Sequence, residues 1–258
     1  VGTVTREGLV LDVGEPAINP GPRRMIKAEI EDIASIHGVS DDVEIEISIP
    51  GGEDLALRTL NGRLGIVGGL SVLGTTGVVI PFSCSAWIHS IHRSIDVARA
   101  AGILHVAAST GSTSERAVQS MFEMREEALI DMGDFVGGTL KYLRRHPIQR
   151  LTIAGGFAKL SKLGTGLLDL HSKRGSVDLD WLIGEVAAAG GTKSVVEGLS
   201  VAETAGQALE IAHKLEFPIA NLIAQKARET ALEHVAPETA VDVMVFDRHG
   251  DLVGRSDA

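Results

Sequence analysis

With 258 residues, 44% of them apolar and 22% charged, the chain can bury one sizeable core or two small ones, and no run approaches the ~20 consecutive apolar residues of a membrane span. An excess of 34 Asp+Glu over 24 Lys+Arg, a formal charge of −10, and 3% aromatics exclude a whole-surface grip on nucleic acid and base-stacking platforms. Cys84 is the single cysteine, which excludes an intrachain disulfide and a four-cysteine zinc site.

The chain opens on Val1 rather than Met, which reads as a fragment or a processed product, and no signal-peptide pattern precedes the first elements, so a cytoplasmic protein is expected. Residues 13–24 (VGEPAINPGPRR) carry Pro16, Pro20 and Pro22, which predict a rigid extended connection rather than a helix. Arg23 and Arg24 follow, two guanidinium groups able to fork onto carboxylates. Val43–Ile49 (VEIEISI) alternates apolar and mostly acidic residues, the period-two signal of a half-buried strand, and ends in the turn Pro50-Gly51-Gly52. Leu64–Val67 and Val78–Ile80 read as further short strands. Between Gly65 and Gly77 stand five glycines in thirteen residues, a density that weakens a strand unless backbone bends or approaches something. The stretch matches neither GxGxxG nor the lysine-containing phosphate loop. Residues 1–84 therefore read as a strand-rich lobe with a Gly-rich loop.

From residue 85 the pattern alternates helix and strand. Ile88, Ile91, Ile95 and Ala98 form one helical face. On another face stand His89, His92 and Asp96, where a solvated polar surface is the commoner reading and a metal pair the rarer. Ile103–Ala108 is a buried strand with His105 as a core histidine, followed by Ser109-Thr110-Gly111-Ser112-Thr113, where hydroxyls and free amides suit a carboxylate or phosphate or simply cap a helix. Ser112 and Glu115 have capping-box spacing, and the helix is expected to run to about Ile130. Arg150–Ala154 is the next strand. Its following turn, Gly155-Gly156-Phe157-Ala158-Lys159, holds an anion with Lys159 and Lys162 or is a plain tight turn. The polar loop Asp169–Arg174 places a carboxylate two residues from His171, a spacing that can orient an imidazole for proton transfer. Lys193–Glu197 reads as a strand, with a second capping box at Ser200 and Glu203. Val241–Phe246 closes the series before a hairpin turn at Asp247–Gly250. Residues 85–258 are thus an α/β, Rossmann-like lobe with a mainly parallel sheet, whose ligands belong at the carboxyl ends of the strands.

Four blocks carry a resemblance: GEPAINPGPRRMI at 14–26, NGRLGIVGGLSVLGTTGVVIPFS at 61–83, ASTGSTSE at 108–115 and LLDLHSKRGSVD at 167–178. Together, and in this order, they resemble the CbiD family, the cobalt-precorrin-5B C(1)-methyltransferases of anaerobic cobalamin biosynthesis. Members open with a Thr/Ala-rich segment carrying Gly-Phe-Thr-Thr-Gly-Thr-Cys, which these residues do not include, so the first lobe reads as one that such a segment would complete.

The resemblance implies methyl transfer from S-adenosylmethionine to C1 of cobalt-precorrin-5B, a polyacidic tetrapyrrole, with no protein-bound metal because the cobalt enters with the substrate. Glycine and hydroxyl density beside expected strand ends assigns the methyl donor to Gly65, Gly68, Gly74, Thr75, Thr76 and Gly77, together with Ser109, Thr110, Gly111, Ser112 and Thr113. Basic residues within or beside the family-like blocks, namely Arg23, Arg24, Arg63, Lys173 and Arg174, are the candidates for the substrate carboxylates. His171, assisted by Asp169, is the candidate for proton handling. Neither nucleic acid nor membrane is an expected partner, and homo-oligomerisation stays open. Two other readings stand beside this one: a non-catalytic tetrapyrrole carrier or scaffold, and a different small-molecule enzyme built on a Gly-rich loop.

Overall fold

The computed structural model describes residues 1–74, 83–171 and 176–256. Contacts divide the chain into two compact units, Val1–Ala101 and Gly102–Ala258.

In the first unit, β1 (Thr3–Val4) pairs antiparallel with β2 (Ile66–Val67), the latter within the stretch expected as a strand at Leu64–Val67. Val4, Leu11, Ala17, Leu64 and Ile66 pack with Val97 into a small core. Val97 lies on α3 (Cys84–Ala100), whose buried residues Ile91, Ile95 and Ala98 are three of the four expected from the apolar spacing. Ser83 caps α3 by accepting the N–H of Ala86. The proline-rich connection differs from expectation: it turns into α1 (Pro20–His37). Prolines are tolerated in a first helical turn because the N–H groups there have no intrahelical acceptor to lose. Gly38, at φ 62°, ends the helix in the left-handed conformation.

The expected strand Val43–Ile49 has no regular structure, and Val43 and Ile45 are more than half exposed. Alternation sorts side chains to two faces, but a strand exists only where a neighbour satisfies its backbone, and among the described residues none pairs with it. The short helix α2 (Gly52–Ala56) follows. Among the described residues this unit is therefore poor in strands, contrary to the expected strand-rich lobe; Val78–Ile80 lies outside the described residues.

The second unit is the expected α/β architecture. Its five-stranded sheet has the order β4-β3-β5-β6-β7: β3 (His105–Ser109), β4 (Leu129–Asp131), β5 (Arg150–Gly156) and β6 (Ala240–Phe246) run parallel, and β7 (Leu252–Arg255) returns antiparallel from the Asp247–Gly250 turn. Val106, Ala107, Ala108, Leu151, Ile153 and Val243 are fully buried, as the apolar runs of a sheet covered on both faces require.

Helix α4 (Ser112–Phe122) stops well before Ile130, because Glu123 adopts φ 50° and its N–H closes on Gln119 O; the apolar residues that follow become β4. Its N-cap is Gly111 rather than Ser112, and no side chain caps it. Helices α5 (Val136–Arg145) and α6 (Phe157–Gly164) follow β4 and β5, and α7 (Leu179–Ala188) is capped by Asp178.

Lys193–Glu197, expected as a strand, opens α8 (Lys193–Leu199): Thr192 caps it, and Val195 and Leu199 bury one face at i, i+4. The next cap is Thr204, which accepts the N–H of Gln207 and starts α9 (Ala205–Lys214), displacing the Ser200–Glu203 box. Helix α10 (Ile219–Leu232) packs on α6, β6 and β7.

Candidate functional site

The parallel strands β3, β5 and β6 end on one cavity of about 910 Å³ inside the second unit. Thr110 directly follows β3, Gly156 ends β5 and Phe246 ends β6, and all three line it. The first turns of α4 (Gly111–Ser114) and α6 (Phe157–Lys159) form adjoining walls. Further lining comes from Gly206, Leu209, Glu210 and His213 of α9, from Phe217–Ala220, from the Asp247–His249 turn and from Val253 of β7.

Neither α4 nor α6 has a side-chain cap, so two helix N-termini reach the cavity with their first N–H groups unmet by capping side chains. Such amides carry partial positive charge and suit an anion. Phe157, Phe217, Phe246, Leu209 and Ile219 supply apolar surface for a ring, and Glu210 and Asp247 supply carboxylates.

Burial alone would raise the Asp247 carboxyl. The backbone N–H groups of Asp251, His249 and Gly250, with the nearby His249, outweigh it and hold the group below the ordinary aspartate range. Asp247 Oδ1 accepts the N–H groups of His249 at 2.8 Å and of Asp251 at 2.9 Å, which clasps the β6–β7 turn.

The two lysines near the β5–α6 turn are spent within the protein. Lys159 Nζ donates to Thr110 O at 2.6 Å and pairs with Asp134 Oδ1 at 3.0 Å. Lys162, buried, donates to Leu170 O at 3.3 Å. The anion-binding capacity of this corner therefore resides in backbone amides and hydroxyls.

Toward the opposite end of the sheet, His105 begins β3 and joins a separate network. Thr152 Oγ1 donates to Asp242 Oδ1 at 2.6 Å, so its oxygen accepts from His105 Nε2 at 2.7 Å. Arg150 Nε donates to Asp242 Oδ2 at 2.7 Å, and its guanidinium lies over Phe122. Burial, then Arg150, lowers the His105 pKa against the pull of Asp242, keeping a neutral imidazole in the sheet.

Family models for CbiD match residues 1–81, and for the CbiD C-terminal domain residues 169–257. A Bradyrhizobium protein is 60% identical over 99% of this chain and 68% of its own length. One from Paramagnetospirillum magneticum is 58% identical over 98% and 71%, and one from Agrobacterium fabrum 54% over 99% and 68%. All three are named cobalt-precorrin-5B C(1)-methyltransferase. The chain belongs to the CbiD family. A solved structure of the cobalamin biosynthesis protein CbiD from Archaeoglobus fulgidus is 25% identical, covering 65% of this chain and 54% of its own; its TM-score of 0.26 is too low to bear on geometry.

Within this CbiD chain, Thr110, Gly111, Ser112 and Thr113 stand together on the cavity wall. Ser109 lies beneath them, fully buried, its hydroxyl without a hydrogen-bond partner among the described residues. Gly65, Gly68 and Gly74 belong to the first unit. Gly65, at φ +76°, has no room for a Cβ because the Arg6 side chain lies there, whereas Gly68 and Gly74 face open space. Thr75, Thr76 and Gly77 lie outside the described residues, as do Lys173 and Arg174.

Arg23 does fork, but onto the protein itself: Glu15 at 2.9 Å, Ile18 O at 2.7 Å and Pro16 O at 2.8 Å. The Arg23 guanidinium holds the Glu15 carboxyl below its usual range. Arg24 is exposed, and the Arg63 carbonyl accepts from Arg6. Asp169 Oδ1 accepts the backbone N–H of His171 at 3.1 Å, a turn-forming contact to the main chain. Their loop reaches the carboxyl end of the sheet, since Leu170 N–H donates to Asp134 O. The rings of His89 and His92 stack edge-on at 6.2 Å, and Asp96 pairs with Arg93 at 2.8 Å.

Sequence reasoning missed Asp134, Glu210, His213 and Phe217. The Asp247-x-His249 pattern following a strand carries a local signal, which the hairpin-turn expectation does not use.

Proposed function

We propose that the chain transfers the methyl group of S-adenosylmethionine to C1 of cobalt-precorrin-5B, giving cobalt-precorrin-6A and S-adenosylhomocysteine in anaerobic cobalamin biosynthesis, as a cytoplasmic enzyme. One observation carries the reading: 54% to 60% identity, across 98% to 99% of the chain, to proteins bearing that enzyme's name.

The cavity of the second unit fits the donor. Its volume lies within the roughly 300–1,000 Å³ usual for cofactor pockets, and it combines uncapped helix N-termini, phenylalanine edges and two carboxylates. The donor, when bound, supplies a methyl group already activated by its sulfonium. The protein's own work is then to bind, orient and exclude water.

In this reading the amides and hydroxyls of Gly111, Ser112 and Thr113 hold the donor's amino-acid carboxylate. Phe157, Phe217 and Phe246 border its purine, and Glu210 or Asp247 accepts from its ribose hydroxyls. The macrocycle's carboxylates fall to exposed Arg24 and to Arg63, Lys173 and Arg174, since Arg23 is committed to Glu15 and two carbonyls. His171 is the candidate to receive a proton from the methylated ring, with Asp169 setting the turn that presents it. The electron-rich macrocycle furnishes the nucleophile, so no strong base is needed to generate one.

Incubating the purified chain with cobalt-precorrin-5B and methyl-labelled S-adenosylmethionine tests the proposal. Label is expected in the corrinoid with one S-adenosylhomocysteine released per methyl group. Macrocycle binding without consumption of the donor would replace the enzyme with a carrier.

A further inference from the structure

We propose that Lys159 is a positioning residue for this site: by clamping the Thr110 carbonyl and the Asp134 carboxylate, it presets the turn into α4 that receives the donor's anionic end. The proposal deepens the reading of the cavity as the methyl-donor site and rests on it. Lys159 lies in the first turn of α6, the positive end of that helix, where a cation is disfavoured unless something holds it.

Two groups hold it, and they belong to different loops. Thr110, in the β3–α4 turn, accepts a hydrogen bond through its carbonyl at 2.6 Å, and Asp134, in the β4–α5 connection, forms an ion pair through Oδ1 at 3.0 Å that lacks hydrogen-bond alignment. A single ammonium therefore ties together three consecutive carboxyl-end connections. Asp134 in turn holds a fourth segment through its carbonyl, which accepts the N–H of Leu170.

Thr110 is fixed from a second direction. Its N–H donates to Ala154 O at 2.9 Å, and its side chain presses on Gly155 so closely that a Cβ there would stand 2.7 Å from Oγ1. Strand β5 is the backstop and Lys159 the clasp. Between them the Thr110 carbonyl is engaged by protein, and the amides that follow it are left to line the cavity. A wall ordered before the ligand arrives loses less entropy on binding, which is how a residue that need not touch the donor strengthens its binding.

The rival role for Lys159 is that of direct counter-ion to the donor, and the two roles predict opposite signs for one substitution. If Lys159 acts through the turn, Asp134→Asn loosens the clasp and weakens S-adenosylhomocysteine binding. If Lys159 acts on the ligand, Asp134→Asn frees its charge and tightens binding.

Calorimetry with S-adenosylhomocysteine is expected to give about 10-fold weaker binding for Lys159→Met and about 3-fold weaker for Asp134→Asn, with Lys159→Arg within about 2-fold of the parent chain. Hydrogen exchange of the ligand-free chain supplies a readout independent of any ligand. The amides of Thr110 and Glu115, which donate to Ala154 O and Gly111 O, are expected to exchange faster in Lys159→Met, while β5 and β6 keep their protection.

Tighter binding by Asp134→Asn, or unchanged exchange at Thr110 and Glu115 in Lys159→Met, would overturn the proposal. Failure of the parent chain to bind S-adenosylhomocysteine would instead refute the donor reading of the cavity, and the exchange data would still decide whether Lys159 orders the turn. If Lys159→Met does not fold, the sign of the Asp134→Asn effect decides alone.

Discussion

Glycine clusters occur in both units, and their neighbours differ. In the first unit, Gly65 is needed because its backbone is left-handed and the Arg6 side chain occupies the space a Cβ would take; Gly69 is pressed equally close to Val1 and Gly2, while Gly68 and Gly74 face open space outside the cavity lining. In the second unit, Gly155 is pressed against Thr110, but Gly111 has extended backbone and open space around it, and it lines the cavity. Glycine density marks close approach of backbone to something. Only the neighbours reveal whether that something is the protein itself or room for a ligand.

Substitutions that separate the two kinds of glycine test the contrast. Gly65→Val combines a left-handed backbone with a steric clash and should cost the most, about 3 kcal/mol of unfolding free energy by denaturant titration, with donor affinity per folded molecule unchanged. An equal loss of donor affinity would make Gly65 a donor contact, as its glycine-rich setting led one to expect. Gly155→Ala should cost about 1–2 kcal/mol and also weaken donor binding, because the neighbour that must move is Thr110 of the cavity wall. Stability lost without any loss of binding would detach that wall from the site. In Gly111→Val, stability should stay within about 0.5 kcal/mol while S-adenosylhomocysteine binds roughly 10-fold more weakly, because the added side chain meets the ligand rather than the protein.

The smallest effect concerns pH and the far end of the sheet. His105 titrates below its ordinary value of 6.5 in the folded chain, so the unfolded chain binds more protons between the two values. The stability that His105 contributes is therefore present above about pH 6.5 and is lost as the pH falls through the folded value. Comparing the pH dependence of unfolding in the parent chain and in His105→Gln checks this: the variant should show a shallower decline below pH 6.5. Identical profiles would mean that burial and Arg150 do not lower the His105 pKa in the folded chain.

Strands flanked on both faces by helices were legible as continuous apolar runs: β3, β5 and β6 fall where Ile103–Ala108, Arg150–Ala154 and Val241–Phe246 lead one to look. The alternating Val43–Ile49 misled, because alternation describes side chains and a strand needs a partner for its backbone. Lys193–Glu197 misled for the converse reason. Two adjacent β-branched residues suggest a strand, yet the Thr192 cap and the Val195–Leu199 spacing favour a helix. Thr110–Thr113 were legible as cavity wall because hydroxyls and glycine follow a strand. Glu210, His213 and Phe217 were not, since nothing local links residues some hundred positions later in the chain to that turn.

The amino-acid order alone determined the kind of architecture in the second unit and the turn that walls its cavity, because apolar runs, glycines and hydroxyls act through their immediate neighbours. The family likeness, too, resides in the linear order of residues. Only the tertiary structure decided that Arg23 serves Glu15, that Lys159 contacts Thr110 and Asp134, and that Gly65 accommodates Arg6. Each of these depends on which groups a side chain meets across folded space, and a charge or a glycine is indifferent in sequence to whether that meeting is with its own chain or with a ligand.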